Sequence, residues 1–362
     1  SEYHPWFQNS LKQKPGFEDF FVWQDSIPAG YGEAWGGEEN SAAVWHHKNE
    51  RDGYYYAVFG WTNPDLNYRN PKVVQEVKNL VNFWLRKGID GFRLDAVRYM
   101  VENGGLTGQR DTQETMDFWK DFSAHIKSIN PEAYLIGEAF ANAQISNAYF
   151  QEGKGLDAAF DFGFNVIVGD VADNSTDTST LSAEDYALHA KNIKDDLWNA
   201  LYSRTQANVP SYFFASFINN HDHDRLNTNF SGDLNRAKIA ASILLTSPGA
   251  PFIYYGEEVG MTQNAVGDDM YRRAIMQWDE SDNAGFSASK KRWLDESFWF
   301  YWHEDFEPWW PTYWKYTENK AAYTVAGQKD QSDSLLNLYK KLIELRNDDE
   351  VLARPETLSL TP

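Results

Sequence analysis

The sequence predicts an α/β chain whose parallel strands alternate with helices around a barrel, and three observations lead there. Between Pro71 and Arg346, short apolar runs alternate with longer stretches whose apolar residues recur at helical spacing. Three of those runs end in an acid, at Asp95, Glu138 and Asp222. In a barrel of parallel strands and outer helices the C-terminal strand ends converge on one face, where sites are built. A packed core would not tolerate carboxylates at three such positions without a purpose.

Each element has its own local signal. Residues 1–60 are aromatic and turn-rich, with Gly30-Tyr31-Gly32 and Gly36-Gly37, and lack long helical periodicity; Tyr54 to Phe59 reads as a strand. Asn70-Pro71 opens an amphipathic helix to Lys87, which buries Val73, Val74, Val77, Leu80, Val81, Trp84 and Leu85 and stops at Gly88. The strand Ile89–Leu94 follows. A helix from Thr112 to Ile129 leads through the turn Asn130-Pro131 to a strand at Tyr134–Gly137, and Leu156–Phe162 is the next strand. Lys191–Ser203 reads as a helix and Phe213–Asn220 as a strand. Arg236–Thr246 is a helix broken by Pro248-Gly249-Ala250-Pro251 before a last strand, and Ser334–Arg346 is a strongly periodic final helix.

Composition bounds the function. The chain has 362 residues, 42% of them hydrophobic, enough for a large core and more than one domain. No run of 18 apolar residues offers a membrane span. A formal net charge of −20 argues against nucleic-acid binding, which needs basic surface. The absence of cysteine removes disulfides and thiolate metal sites. With 15 Trp, 20 Tyr and 23 Phe the chain is rich in aromatic rings, large apolar surfaces for a core or for stacking on a ligand.

The strand-end acids carry the chemistry. Arg93 and Asp95 lie two residues apart and so point the same way from a pleated strand. A guanidinium beside a carboxylate keeps the latter ionised, as a nucleophile requires, although an isolated pair of this kind is equally a structural ion pair. Tyr134-Leu135-Ile136-Gly137 runs into Glu138, and Phe213–Asn220 into His221-Asp222-His223-Asp224-Arg225. His46-His47 lacks a nearby third ligand and reads as a solvated loop, and Glu257-Glu258 as structural.

These segments resemble a known family. Gly91-Phe92-Arg93-Leu94-Asp95-Ala96-Val97, Leu135-Ile136-Gly137-Glu138-Ala139-Phe140 and Phe217–Arg225 are similar to the second, third and fourth conserved regions of the α-amylase family, glycoside hydrolase family 13. Asn63-Pro64-Asp65-Leu66-Asn67 resembles its fifth, and Phe252–Met261 with Met276-Gln277-Trp278-Asp279 its last strand and following loop. The resemblance implies an α-amylase-type (β/α)8 TIM barrel, here incomplete: residues 1–60 as a loop domain inserted after strand three, 61–350 as strands four to eight, and 351–362 as a linker towards a C-terminal β domain. It implies Asp95 as nucleophile, Glu138 as general acid and base, Asp222 as the carboxylate that holds sugar hydroxyls, and Arg93 and His221 as substrate-binding residues, Arg93 keeping Asp95 ionised and oriented and His221 hydrogen-bonding hydroxyls of the sugar being cleaved. It also implies calcium as a candidate ligand of Asp65, whose hard oxygens suit that ion. No organic cofactor is implied.

The same resemblance sets the expected activity. Two carboxyl groups about 5–5.5 Å apart cleave a glycosidic bond with retention, and Glu138 then needs a raised pKa while Arg93 lowers that of Asp95. The expected substrate is an α-1,4-linked glucan or maltooligosaccharide; an α-glucan transglycosylase, an α-glucosidase and a non-catalytic binding protein are the alternatives. Ala96 resembles members acting on α-1,4 links, where α-1,6-acting relatives carry Val. Arg98-Tyr99 stands where many endo-amylases place Lys-His on the leaving-group side. The dense aromatic stretch Phe298–Trp314 reads equally as a sugar platform or a packed loop. The family's first conserved region is missing, so the chain is expected to need an N-terminal barrel segment for activity, with a secreted or periplasmic location ahead of a cytoplasmic one.

Overall fold

A computed structural model describes residues 1–34, 38–173, 209–263, 269–281, 284–288 and 321–353, with scattered positions between 182 and 204. Much of the expected helix 191–203, all of the aromatic stretch 298–314 and most of the linker 351–362 lie outside the described residues. The chain divides into two compact units, Ser1–Phe140 with Ile145–Ala159, and Ala141–Gln144 with Phe160–Pro362.

The first unit opens with a short helix, Pro5–Leu11, capped by the His4 ring. Three short antiparallel strands follow: β1 (Trp23–Gln24), β2 (Trp45–Lys48) and β3 (Gly53–Tyr56), with β3 in the middle. Their aromatic content makes the local core. Phe7, Phe20, Phe21 and Tyr55 close one face, and Tyr31, Trp45 and Tyr56 another. The helix Pro71–Arg86 begins where the Asn70 side chain accepts the Lys72 N–H, as an N-cap should. It buries Val73, Val81 and Leu85. Leu80 and Trp84, expected inside, stand 58% and 46% exposed. They sit on the margin of an apolar stripe that only the three buried positions complete.

β4 (Gly91–Leu94) and β5 (Tyr134–Gly137) pair in parallel, with Arg93 opposite Ile136, and the helix Gln113–Ile129 joins them. That helix starts on a Thr112 cap and buries Phe118, Trp119, Phe122 and Ile126. Ala158 and Ala159 of β6 (Ala158–Asp161) continue the parallel pairing against Ile136 and Gly137. Gly137 lets the neighbouring side chains close in, because a Cβ there would meet Leu156 Cδ1 at 2.4 Å and force that side chain to shift.

In the second unit β7 (Phe214–Phe217) and β8 (Ala250–Phe252) pair in parallel. The helix Leu234–Thr246, capped by Asp233, packs Ala237, Ala240 and Leu244 against Phe164, Val168 and Ala172 of a helix at Phe162–Asp173. The last helix, Leu335–Asp348, closes the cluster with Leu335 and Tyr339. Five parallel-paired strands separated by helices, in this order, are the predicted alternation. Among the described residues no helix is long and apolar enough to cross a membrane.

Candidate active site

Asp95 and Glu138 occupy equivalent places, one residue beyond β4 and β5. The parallel register brings Leu94 beside Gly137, so the two acids leave the sheet together. Backbone bonds continue past the strand ends. Glu138 N–H donates to the Leu94 carbonyl at 2.8 Å, and Val97 N–H donates to that of Glu138 at 3.3 Å. Ala96 takes a left-handed conformation, φ 45° and ψ 42°, which turns the chain directly after Asp95.

Arg93 joins the two acids. Its Nη1 donates to Asp95 Oδ1, and its Nη2 lies 2.8 Å from Glu138 Oε2. The partners differ in environment: the Asp95 side chain is 77% exposed, that of Glu138 only 14%. Burial pushes the Glu138 carboxyl from its ordinary 4.5 up to about 7, Arg93 pulls it down, and the hydrogen bond and charge of Asp95 raise it further. Desolvation disfavours the charged form of an acid. Half-protonated near neutrality, Glu138 has what a general acid that later acts as a base needs. The sequence tied Arg93 to Asp95 alone; the second bond, to a residue 45 positions away, has no local signal.

Asp222 and His221 stand in the second unit, beyond β7. Asn220 Oδ1 accepts the N–H groups of both Asp222 and His223 at 2.9 Å, which folds the chain into a tight turn. Asp222 Oδ2 lies 3.1 Å from His221 Nε2, and Asp222 Oδ1 accepts from Arg273 Nη2 at 2.7 Å. Arg273 Nε also donates to the His221 carbonyl, at 3.0 Å, and Arg272 Nη1 to that of Asp222, at 2.5 Å. Both arginines escaped the sequence reading. The only hint was two adjacent cations a few residues before Met276-Gln277-Trp278.

Other candidates resolve as structural. Glu257 is 6% exposed, accepts from Asn219 Nδ2 at 2.9 Å and from the Tyr339 hydroxyl at 3.1 Å, and burial pushes it up to about 8. His46 and His47 belong to β2, and their rings pack on Tyr55 and Tyr54. The Asp65 carboxylate accepts the Val58 N–H at 2.9 Å and is pushed up to about 8, chiefly by burial. Among the described residues no three histidine, cysteine or acidic side chains gather as a metal would need.

Comparison with known proteins bears on the whole chain. A model described as the alpha amylase catalytic domain matches residues 1–355. Alpha-amylase 3 of Dictyoglomus thermophilum is 30% identical over 352 residues, 96% of this chain and 58% of that protein. The alpha-glucosidase of Apis mellifera is 26% identical over 399 residues, 96% of this chain and 61% of the other. The crystal structure of an alpha-amylase from H. orenii matches with a TM-score of 0.73 at 28% identity, covering 97% of this chain and 62% of that one. The chain thus spans less than two thirds of the length of these relatives.

Proposed function

Because the chain belongs to the α-amylase family of glycoside hydrolases, we propose that it cleaves α-1,4-glucosidic bonds of starch or maltooligosaccharides with retention of configuration. The observation that carries this reading is the pairing of an exposed carboxylate, Asp95, with a buried carboxyl of pKa about 7, Glu138, through one shared guanidinium. Glu138 gives its proton to the glycosidic oxygen as Asp95 attacks the anomeric carbon. The C–O bond to the leaving sugar breaks and a glycosyl ester forms on Asp95. Glu138, now a carboxylate, takes a proton from water, and the resulting attack releases the sugar and restores Asp95. Asp222 accepts hydrogen bonds from sugar hydroxyls, steadied by Arg273 and His221.

Two measurements test the reading. Proton NMR of the first product from maltoheptaose is expected to show the α anomer; a β anomer would overturn the two-step route. A fluorinated α-glucosyl fluoride is expected to label the peptide carrying Asp95, and a label elsewhere would reassign the nucleophile. The same product analysis separates hydrolysis from transfer to a second sugar, and an endo-acting enzyme from an α-glucosidase, the activity named for the Apis mellifera relative.

A further inference from the structure

Arg98 follows the Ala96 turn and is buried, 8% exposed. Its guanidinium spends every nitrogen inside the first unit. Nε lies 3.0 and 3.1 Å from the two oxygens of Asp111, Nη2 donates to Asp111 as well, and Nη1 donates to the Phe140 carbonyl at 2.5 Å. Asp111 is fixed in turn. Its N–H donates to the Arg98 carbonyl at 2.9 Å, and the hydroxyl of the fully buried Tyr149 donates to its Oδ1 at 2.7 Å.

The placement of these bonds matters more than their number. Asp95 sits three residues before Arg98, and Glu138 two before Phe140. The Arg98 side chain thus ties the loop that carries one acid to the loop that carries the other, beyond the reach of the two backbone bonds at the strand ends. A two-pronged guanidinium–carboxylate contact fixes direction as well as distance, which a lysine ammonium cannot do. We propose that Arg98, oriented by Asp111 and Tyr149, is the positioning residue that sets the separation and mutual orientation of the Asp95 and Glu138 carboxyl groups. The inference rests on the catalytic roles proposed above for those two acids.

Arg98→Lys keeps the charge beside Asp111 but loses the fork onto that carboxylate and, with it, the separate bond to the Phe140 carbonyl; Tyr149→Phe deletes one hydroxyl and keeps the ring. In Arg98→Lys, kcat on maltoheptaose is expected to fall about 10–100-fold, as for an error near 1 Å in the reacting geometry, with KM within about threefold. Tyr149→Phe is expected to follow in the same direction by less. The basic limb of the kcat profile, set by Glu138, is expected to move to lower pH in Arg98→Lys as the two acids separate. Wild-type kcat and an unmoved limb in folded Arg98→Lys, with only the melting temperature lowered, would reduce Arg98 to a stability role and overturn the proposal. Glu138→Gln is run beside it. If that variant keeps full activity the catalytic reading fails, whereas an inactive Glu138→Gln with an unaltered Arg98→Lys sinks the positioning role alone. A carbon-13 carboxyl titration of Glu138 gives the same answer without turnover: an unchanged pKa in Arg98→Lys overturns the proposal.

Discussion

Two buried glutamates at strand ends, one in each unit, have the same electrostatic signature and different surroundings. Glu138 follows β5 and Glu257 lies just beyond β8; burial raises the first to about 7 and the second to about 8. Around Glu138 stand a cation and an exposed carboxylate, Arg93 and Asp95. Around Glu257 stand an amide and a phenol, Asn219 and Tyr339. A raised pKa therefore marks burial in both, and the chemistry proposed above in one. What separates them is a second carboxylate, Asp95, that shares the Arg93 guanidinium and stands open to solvent.

The largest effect that would break this comparison is on activity. Glu138→Gln removes the proton donor, so a loss of about 10²–10⁴-fold in kcat is expected, smaller on aryl glycosides whose leaving group needs no proton. Glu257→Gln keeps the shape and the bonds to Asn219 and Tyr339, and kcat within about threefold of wild type is expected of a residue that touches only structure. Equal losses in the two variants, measured on maltoheptaose and on a nitrophenyl glycoside, would erase the distinction.

Stability against pH is the next largest. An acid whose folded pKa is raised holds its proton in the folded state while the unfolded chain has released it, so stability falls as pH rises between the two values. For Glu257 the window runs from about 4.5 to about 8, and the loss across it is on the order of a few kcal/mol. Glu257→Gln has no proton to lose. Urea unfolding at pH 5 and pH 9 is expected to show the variant overtaking wild type at the higher pH; parallel declines would mean that Glu257 ionises freely. Glu138→Gln is expected to behave likewise over the narrower window from 4.5 to about 7.

What the sequence reveals of these two sites follows from the range of the interactions. Helices at Pro71–Arg86, Gln113–Ile129, Leu234–Thr246 and Leu335–Asp348 were legible because apolar period and cap residues are local. The side-by-side Arg93 and Asp95 were legible for the same reason. The helix Phe162–Asp173 was not. It contains Gly163, Gly169 and four valine or isoleucine residues, poor helix formers, and forms by packing on Leu234–Thr246. Arg93 on Glu138, Arg98 on Phe140 and Arg273 on Asp222 span 45, 42 and 51 positions, and no periodicity encodes a contact of that range.

The smallest effects concern the turns that deliver the two acids. Gly256, before Glu257, has φ 86°, and Ala96, after Asp95, has φ 45°. Both strand ends turn through the left-handed region, one with a glycine and one with a residue that pays for its Cβ. At Gly256 a Cβ would stand 2.2 Å from the Met261 sulfur and 2.9 Å from its Cγ. Gly256→Ala is therefore expected to cost more than the about 1–2 kcal/mol of the backbone conformation alone. Ala96→Val adds a β-branched side chain where the left-handed region least accepts one, and a loss of about 1–2 kcal/mol is expected. Ala96→Gly relieves the Cβ but frees the unfolded chain, so a change within about 0.5 kcal/mol is expected. Thermal unfolding of the three variants checks the order. If Ala96→Val were as stable as wild type, the turn after Asp95 would not be left-handed, and Glu138 and Asp95 would leave their strands by a different path from the one that joins them to Arg93.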